Sequence, residues 1–111
     1  MEPILDSFKH WMQQEQKWLQ KRYITTEERK QDDTICNDDP YEPFIGYIHE
    51  SKKAVGQVTL WASRQMEFEV INLETEERLL WTYVEQIEEQ EASFKTILEP
   101  YFGALQSGDK V

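Results

Sequence analysis

The stretch from Ala54 to Val84, AVGQVTLWASRQMEFEVINLETEERLLWTYV, decides the fold. Val55 to Ser63 and Met66 to Leu73 alternate apolar and polar residues, with only Arg64 and Gln65 between them. A third run, Leu79 to Val84, follows the charged break Glu74-Thr75-Glu76-Glu77-Arg78. Alternation at period two, rich in β-branched and aromatic residues and bounded by polar turns, is the pattern of a β-meander. Phe44 to Glu50 alternates in the same way upstream, and Ser51-Lys52-Lys53 suits a turn into the next run. Links this short make consecutive strands antiparallel. The expectation is four strands in sequential order, at 44–50, 54–63, 66–73 and 78–85. The Ser63 to Gln65 turn has no glycine, so its type stays open.

Side-chain parity sets the two faces of the sheet. Gly56, Val58 and Leu60 point inward on the second strand, and Met66, Phe68 and Val70 do so on the third. Gln57, Thr59 and Trp61 then point outward, as do Glu67 and Glu69. On the fourth strand Leu80, Thr82 and Val84 oppose Leu79, Trp81 and Tyr83. Both sets contain large apolar residues, so parity alone does not choose between them.

A helical pattern flanks the meander on each side. Ile4, Leu5, Phe8, Trp11, Met12, Trp18 and Leu19 repeat at helical spacing within residues 3–22, interrupted at Glu15. Pro3 suits a first helical position. Phe94, Ile97, Leu98, Tyr101, Phe102 and Leu105 form an unbroken stripe within residues 88–105. Glu88, Glu89 and Glu91 fall where the positive end of the helix dipole favours acids. Pro100 lies inside that stripe and is expected to kink or split the helix near Glu99. Thr25 and Glu28 have the spacing of a capping box for a short turn, residues 24–43 read as a loop, and 106–111 as a frayed tail. Two apolar helix stripes and a sheet with one buried face imply two layers, with both helices on the same face of the sheet. The fold class is therefore α+β, in a single domain spanning residues 1–111.

Charge narrows the partners. The 111 residues carry 22 acids against 12 bases, a net charge of −10. The excess concentrates in the second half of the chain: Met66 to Glu91 holds nine acids and one base, Arg78. Such a field repels nucleic-acid phosphates and anionic membranes and attracts basic proteins. Residues 1–30 have no signal-peptide pattern and no apolar run is long enough to span a bilayer. The single cysteine, Cys36, precludes an internal disulfide, so the expected location is the cytoplasm.

No catalytic constellation stands out, and no enzyme activity is expected. His10 and His49 are far apart and neither has a patterned partner. Cys36 lies among acids that should raise its pKa and blunt its nucleophilicity. No Cys/His pair has zinc spacing, and the four glycines do not cluster into a phosphate loop. Asp32, Asp33, Asp38, Asp39 and Glu42 lack the alternation and central glycine of a calcium loop. No cofactor or metal is expected. Two features remain as binding candidates: outward Trp61 with Glu67 and Glu69, an aromatic among acids that suits a basic protein, and the Asp-rich loop.

Gly56-Gln57-Val58-Thr59-Leu60-Trp61, followed by Met66-Glu67-Phe68-Glu69-Val70-Ile71-Asn72-Leu73-Glu74-Thr75-Glu76-Glu77, resembles the core pattern of the TriTu family of immunity proteins, which includes immunity proteins of contact-dependent growth inhibition. That pattern is Gly-x-Ile/Val-Thr/Ser-x-Trp, a short turn, then an acidic-apolar strand ending in Glu-Thr-Glu. The order of helix, meander and helix is also similar, over about residues 8–105. The turn at Ser63 to Gln65 departs from the pattern in lacking glycine, and the Asp-rich loop has no counterpart in it.

The resemblance implies a bacterial immunity protein that binds and neutralises the toxin domain of a delivered effector. The implied toxin is a tRNA-cleaving nuclease that acts together with elongation factor Tu. A nuclease needs a basic surface for RNA, and an acidic inhibitor complements it. The expected contacts are Trp61, Glu67, Glu69, Glu74, Glu76 and Glu77, with Asp38 and Asp39 second. The alternative from another class is an acidic adaptor or regulatory domain that binds a basic host protein without a toxin.

Overall fold

A computed structural model describes residues 4–30, 44–87 and 91–110, and everything said of the structure concerns these residues. The elements are α1 (Ile4–Lys21), β1 (Thr25–Lys30), β2 (Phe44–Glu50), β3 (Ala54–Trp61), β4 (Met66–Asn72), β5 (Arg78–Val84) and α2 (Glu91–Ser107). The strands form one antiparallel sheet in the order β1-β2-β3-β4-β5. The α+β class and the sequential meander are as expected, but the sheet has five strands where four were expected.

The additional strand is Thr25–Lys30, a segment that reads in the sequence as the start of a loop with a capped turn. Its sequence, TTEERK, has no apolar alternation to announce it. It forms because its backbone pairs with β2, from Thr25 opposite Glu50 to Lys30 opposite Ile45. Charged side chains on a sheet edge also discourage pairing with another chain, so a polar strand is at home there.

Both helices cover one face of this sheet. Phe8 of α1 is fully buried and meets Tyr47 of β2 at 5.7 Å between ring centroids and Phe94 of α2 at 5.0 Å. Tyr101 of α2 meets Phe68 of β4 at 5.8 Å and His49 of β2 at 5.6 Å. The inward series Val58, Leu60, Met66, Phe68 and Val70 is buried beneath them. Gly56 joins that series because Tyr101 occupies the space a side chain would need. A Cβ built at Gly56 would lie 2.8 Å from Cε1 and 2.9 Å from Cζ and the hydroxyl oxygen of Tyr101.

Helix ends and turns fix the frame. Tyr23 takes a left-handed conformation (φ 61°) after α1, and the Ile24 N–H donates to the Leu19 carbonyl at 2.9 Å. This is a Schellman-type cap, with Leu19 and Ile24 both buried as its apolar contact. The Ser51 hydroxyl donates to the Leu105 carbonyl at 2.6 Å and accepts from the Ala54 N–H at 3.0 Å, which ties the β2–β3 turn to α2. The glycine-free β3–β4 turn resolves as a three-residue hairpin. Arg64 N–H donates to the Trp61 carbonyl, Trp61 N–H donates to the Gln65 carbonyl, and Arg64 itself fills the left-handed position at φ 77°. Ile87 holds Arg64 there from both directions, through Ile87 N–H to the Arg64 carbonyl at 3.0 Å and Arg64 Nη1 to the Ile87 carbonyl at 3.2 Å.

Pro100 does not split α2, which runs without a break from Glu91 to Ser107. Pro100 stands on the exposed side of the helix, so its ring does not crowd the core. Glu88 and Glu89, expected in the first turn, lie outside the described residues, as does Pro3. Residues 106 and 107 form the last positions of α2 rather than a tail, and Gly108 follows directly. Gly108 is buried, takes φ 72°, and donates to the Ala104 carbonyl at 2.8 Å.

Candidate functional site

Among the described residues nothing covers the face of the sheet turned away from the helices, and strand register builds this open face. β3 pairs with β4 so that Thr59 lies opposite Glu67 and Gln57 opposite Glu69. β4 pairs with β5 so that Glu67 lies opposite Tyr83 and Glu69 opposite Trp81. Residues directly opposite share a face. The parity question on β5 is thereby settled, because Met66, Phe68 and Val70 oppose Val84, Thr82 and Leu80 on the helix side. A bulge between Val70 and Ile71 shifts the register and leaves Leu79 buried as well. Trp81 is left 49% exposed and Tyr83 43% exposed on the open face.

Side-chain bonds hold this patch in shape. The Trp81 indole Nε1–H donates to Glu67 Oε2 at 2.9 Å, and Arg78 Nε pairs with Glu69 Oε2 at 2.9 Å. The two ties fix one oxygen of each carboxylate and lay the indole across the strands. Gln57, Thr59, Glu67, Glu69 and Trp81, with Phe68, line a shallow pocket of about 90 Å³ between them.

The expected contacts fall into three places. Glu67 and Glu69 are half-buried within this patch. Trp61 is half-buried too, but at the β3–β4 turn opposite Phe44, so the aromatics directly across from the two acids are Tyr83 and Trp81. Sequence reasoning misses this pair because the parity of β5 is undecided without its register. Glu74, Glu76 and Glu77 are exposed at the β4–β5 turn, which Asn72 organises. Asn72 Oδ1 accepts from Glu74 N–H and Thr75 N–H, both at 2.8 Å, and its Nδ2 donates to the Gly108 carbonyl at 3.0 Å. Glu76 adopts φ 63°, and Glu77 reaches Lys110 at 3.7 Å. Asp38, Asp39 and Cys36 lie outside the described residues.

The histidines serve the scaffold. His10 is exposed and accepts from the Gln14 amide at 3.0 Å. His49 is fully buried, with Nδ1 2.8 Å from the Tyr101 hydroxyl and Nε2 without a hydrogen bond. Burial disfavours its charged form and lowers its pKa from the ordinary 6.5 to about 4. Burial likewise raises the phenols of Tyr101 and Tyr47, the latter also through the neighbouring Glu28 carboxylate.

The His49 shift has a sign. Between pH 6.5 and pH 4 the unfolded chain takes up a proton at this histidine that the folded chain does not, so stability falls as pH falls through that window and levels below it. The full effect is about 3 kcal/mol, at 1.36 kcal/mol per pH unit. Urea midpoints at pH 7 and pH 4.5 should therefore diverge more for the native chain than for His49→Gln, and equal divergence would remove His49 from the pH response.

Among the described residues no three His, Cys, Asp or Glu side chains gather closely enough to hold a metal ion, and no helix is long and apolar enough to cross a membrane.

Fold and open face together define a two-layer α+β domain that presents an acidic, aromatic-studded sheet surface. The chain matches the family model described as "Immunity protein TriTu" over residues 6–103 and belongs to that family of immunity proteins. No curated protein and no solved structure matches it.

Proposed function

We propose that this immunity protein neutralises its cognate toxin by stoichiometric binding through the open face of the sheet, with no chemistry of its own. The observation that carries the proposal is that face: both helices lie on the other side, and Trp81 and Tyr83 stay exposed across from Glu67 and Glu69. Large aromatics beside acids supply apolar anchoring and steer a basic partner. Trp61 continues the aromatic surface toward the β3–β4 turn, and Glu74, Glu76 and Glu77 extend the acidic field past the β4–β5 turn. Asp38 and Asp39 remain candidate contacts from the sequence.

The partner we propose is a basic tRNA-cleaving nuclease domain delivered by contact-dependent growth inhibition and met in the cytoplasm. Elongation factor Tu would reach the complex through the toxin. The family and the net charge of −10 support this choice, since an RNA-cleaving surface must be basic. Co-expression with the toxin domain encoded beside this chain tests the proposal: cells should survive and the two proteins co-elute in gel filtration. Death of the cells with no complex formed would overturn it.

Trp81→Ala should weaken the complex by about 2 kcal/mol, close to thirtyfold in Kd, as an exposed interface anchor does. Its thermal midpoint should stay near that of the parent chain, because half of the residue is already in water. Titration calorimetry against the toxin domain measures the first quantity; unchanged affinity would move the interface elsewhere.

A further inference from the structure

We propose that the shallow pocket on the open sheet face receives an arginine side chain of the toxin, between Glu67 and Glu69 and against Trp81. This inference rests on the open face being the binding face and names the group that docks at its centre.

Three features converge on the pocket. Its acids are held in place and half free: one oxygen of Glu67 is tied to Trp81 and one oxygen of Glu69 to Arg78, each at 2.9 Å. The second oxygen of each carboxylate remains an acceptor for a donor from outside. Its wall is an indole that is 49% exposed, and guanidinium groups stack on such rings. Thr59, only 9% exposed, also lines the pocket, and its side chain makes no hydrogen bond to any described residue. A hydroxyl that reaches solvent in the pocket and has no protein partner can bond a polar group that enters.

Gly46, beside Thr59 on the same face, has no side chain; a Cβ there would lie 3.6 Å from the Thr59 hydroxyl oxygen. At about 90 Å³ the pocket has room for a planar head group. Arginine fits better than lysine for a physical reason. Its planar fork can offer separate N–H groups to two carboxylates and the threonine while its face lies on the indole, whereas an ammonium is a strongly hydrated point charge.

The test uses argininamide as the probe, with citrullinamide as its uncharged counterpart, followed by two-dimensional NMR of the full chain. Argininamide should move the Trp81 indole N–H and the Thr59 amide resonances saturably, and citrullinamide should not. The Glu67→Gln/Glu69→Gln chain should bind argininamide at least fivefold more weakly, while Glu99→Gln on the exposed side of α2 should match the parent chain. Equal shifts from the two probes, or an unaltered response in the double variant, would overturn the proposal. Dispersed amide spectra verify that each variant is folded, and Thr59→Val gives a second, charge-neutral arm in which argininamide should also bind more weakly. Survival in the co-expression assay is read separately, so a chain that protects cells yet ignores argininamide refutes the pocket and leaves the immunity function standing.

Discussion

Phe8→Ala should lower the unfolding free energy by roughly 4 kcal/mol, within the range for emptying a buried aromatic site. Phe8 is fully buried where α1 meets β2 and α2. Its ring stacks on Trp11 at 5.9 Å, meets Tyr47 edge-on at 5.7 Å and Phe94 edge-on at 5.0 Å. These contacts link α1 to the sheet and to α2, and rings on three different elements cannot all close in on the space left behind. A domain of this size is stable by only about 5–15 kcal/mol, so the variant should sit near the edge of folding. Urea unfolding followed by circular dichroism gives the difference directly. A loss below about 1 kcal/mol, small for a buried aromatic, would mean that α1 is not anchored by this ring.

Gly56→Val should be comparably damaging, at roughly 4 kcal/mol or outright failure to fold, beyond ordinary overpacking. The first added carbon would already lie 2.8 Å from the Tyr101 ring, and valine brings two more. Tyr101 has no room to retreat: it is fully buried, 2.8 Å from His49 through its hydroxyl, and packed edge-on against Phe68 and Phe102. A double-mutant cycle isolates the cause. Gly56→Ala should cost less in a Tyr101→Leu background than in the native one, since the clashing ring atoms are gone. Equal costs in both backgrounds would assign the damage to the strand backbone instead.

That prediction also separates the two meanings of the family motif. Gly56, Val58 and Leu60 face the helices and serve the core, whereas Thr59 and Trp61 face the open side. Further along, Glu67 and Glu69 border the pocket, but the Glu74-Thr75-Glu76 segment forms the turn that Asn72 holds. One contiguous motif thus combines packing, surface and turn residues, as expected where successive side chains alternate between faces.

The amino-acid sequence by itself determined both helices, four of the five strands and the inward series of β3 and β4, because each of these is written in the local period of apolar residues. It determined the acidic character of the meander, and placed Glu67 and Glu69 outside. Tertiary structure alone decided the rest. Thr25–Lys30 is a strand because of pairing with β2, a non-local partner that its own polar sequence does not announce. A left-handed Arg64, held by Ile87, closes a hairpin that ordinarily favours glycine. The face of β5 was set by register with β4 and by the bulge at Val70/Ile71. That register put Trp81 and Tyr83, rather than Trp61, directly across from the two glutamates. Periodicity within a strand fixes which residues share a face, but only hydrogen bonding between strands fixes which of them meet.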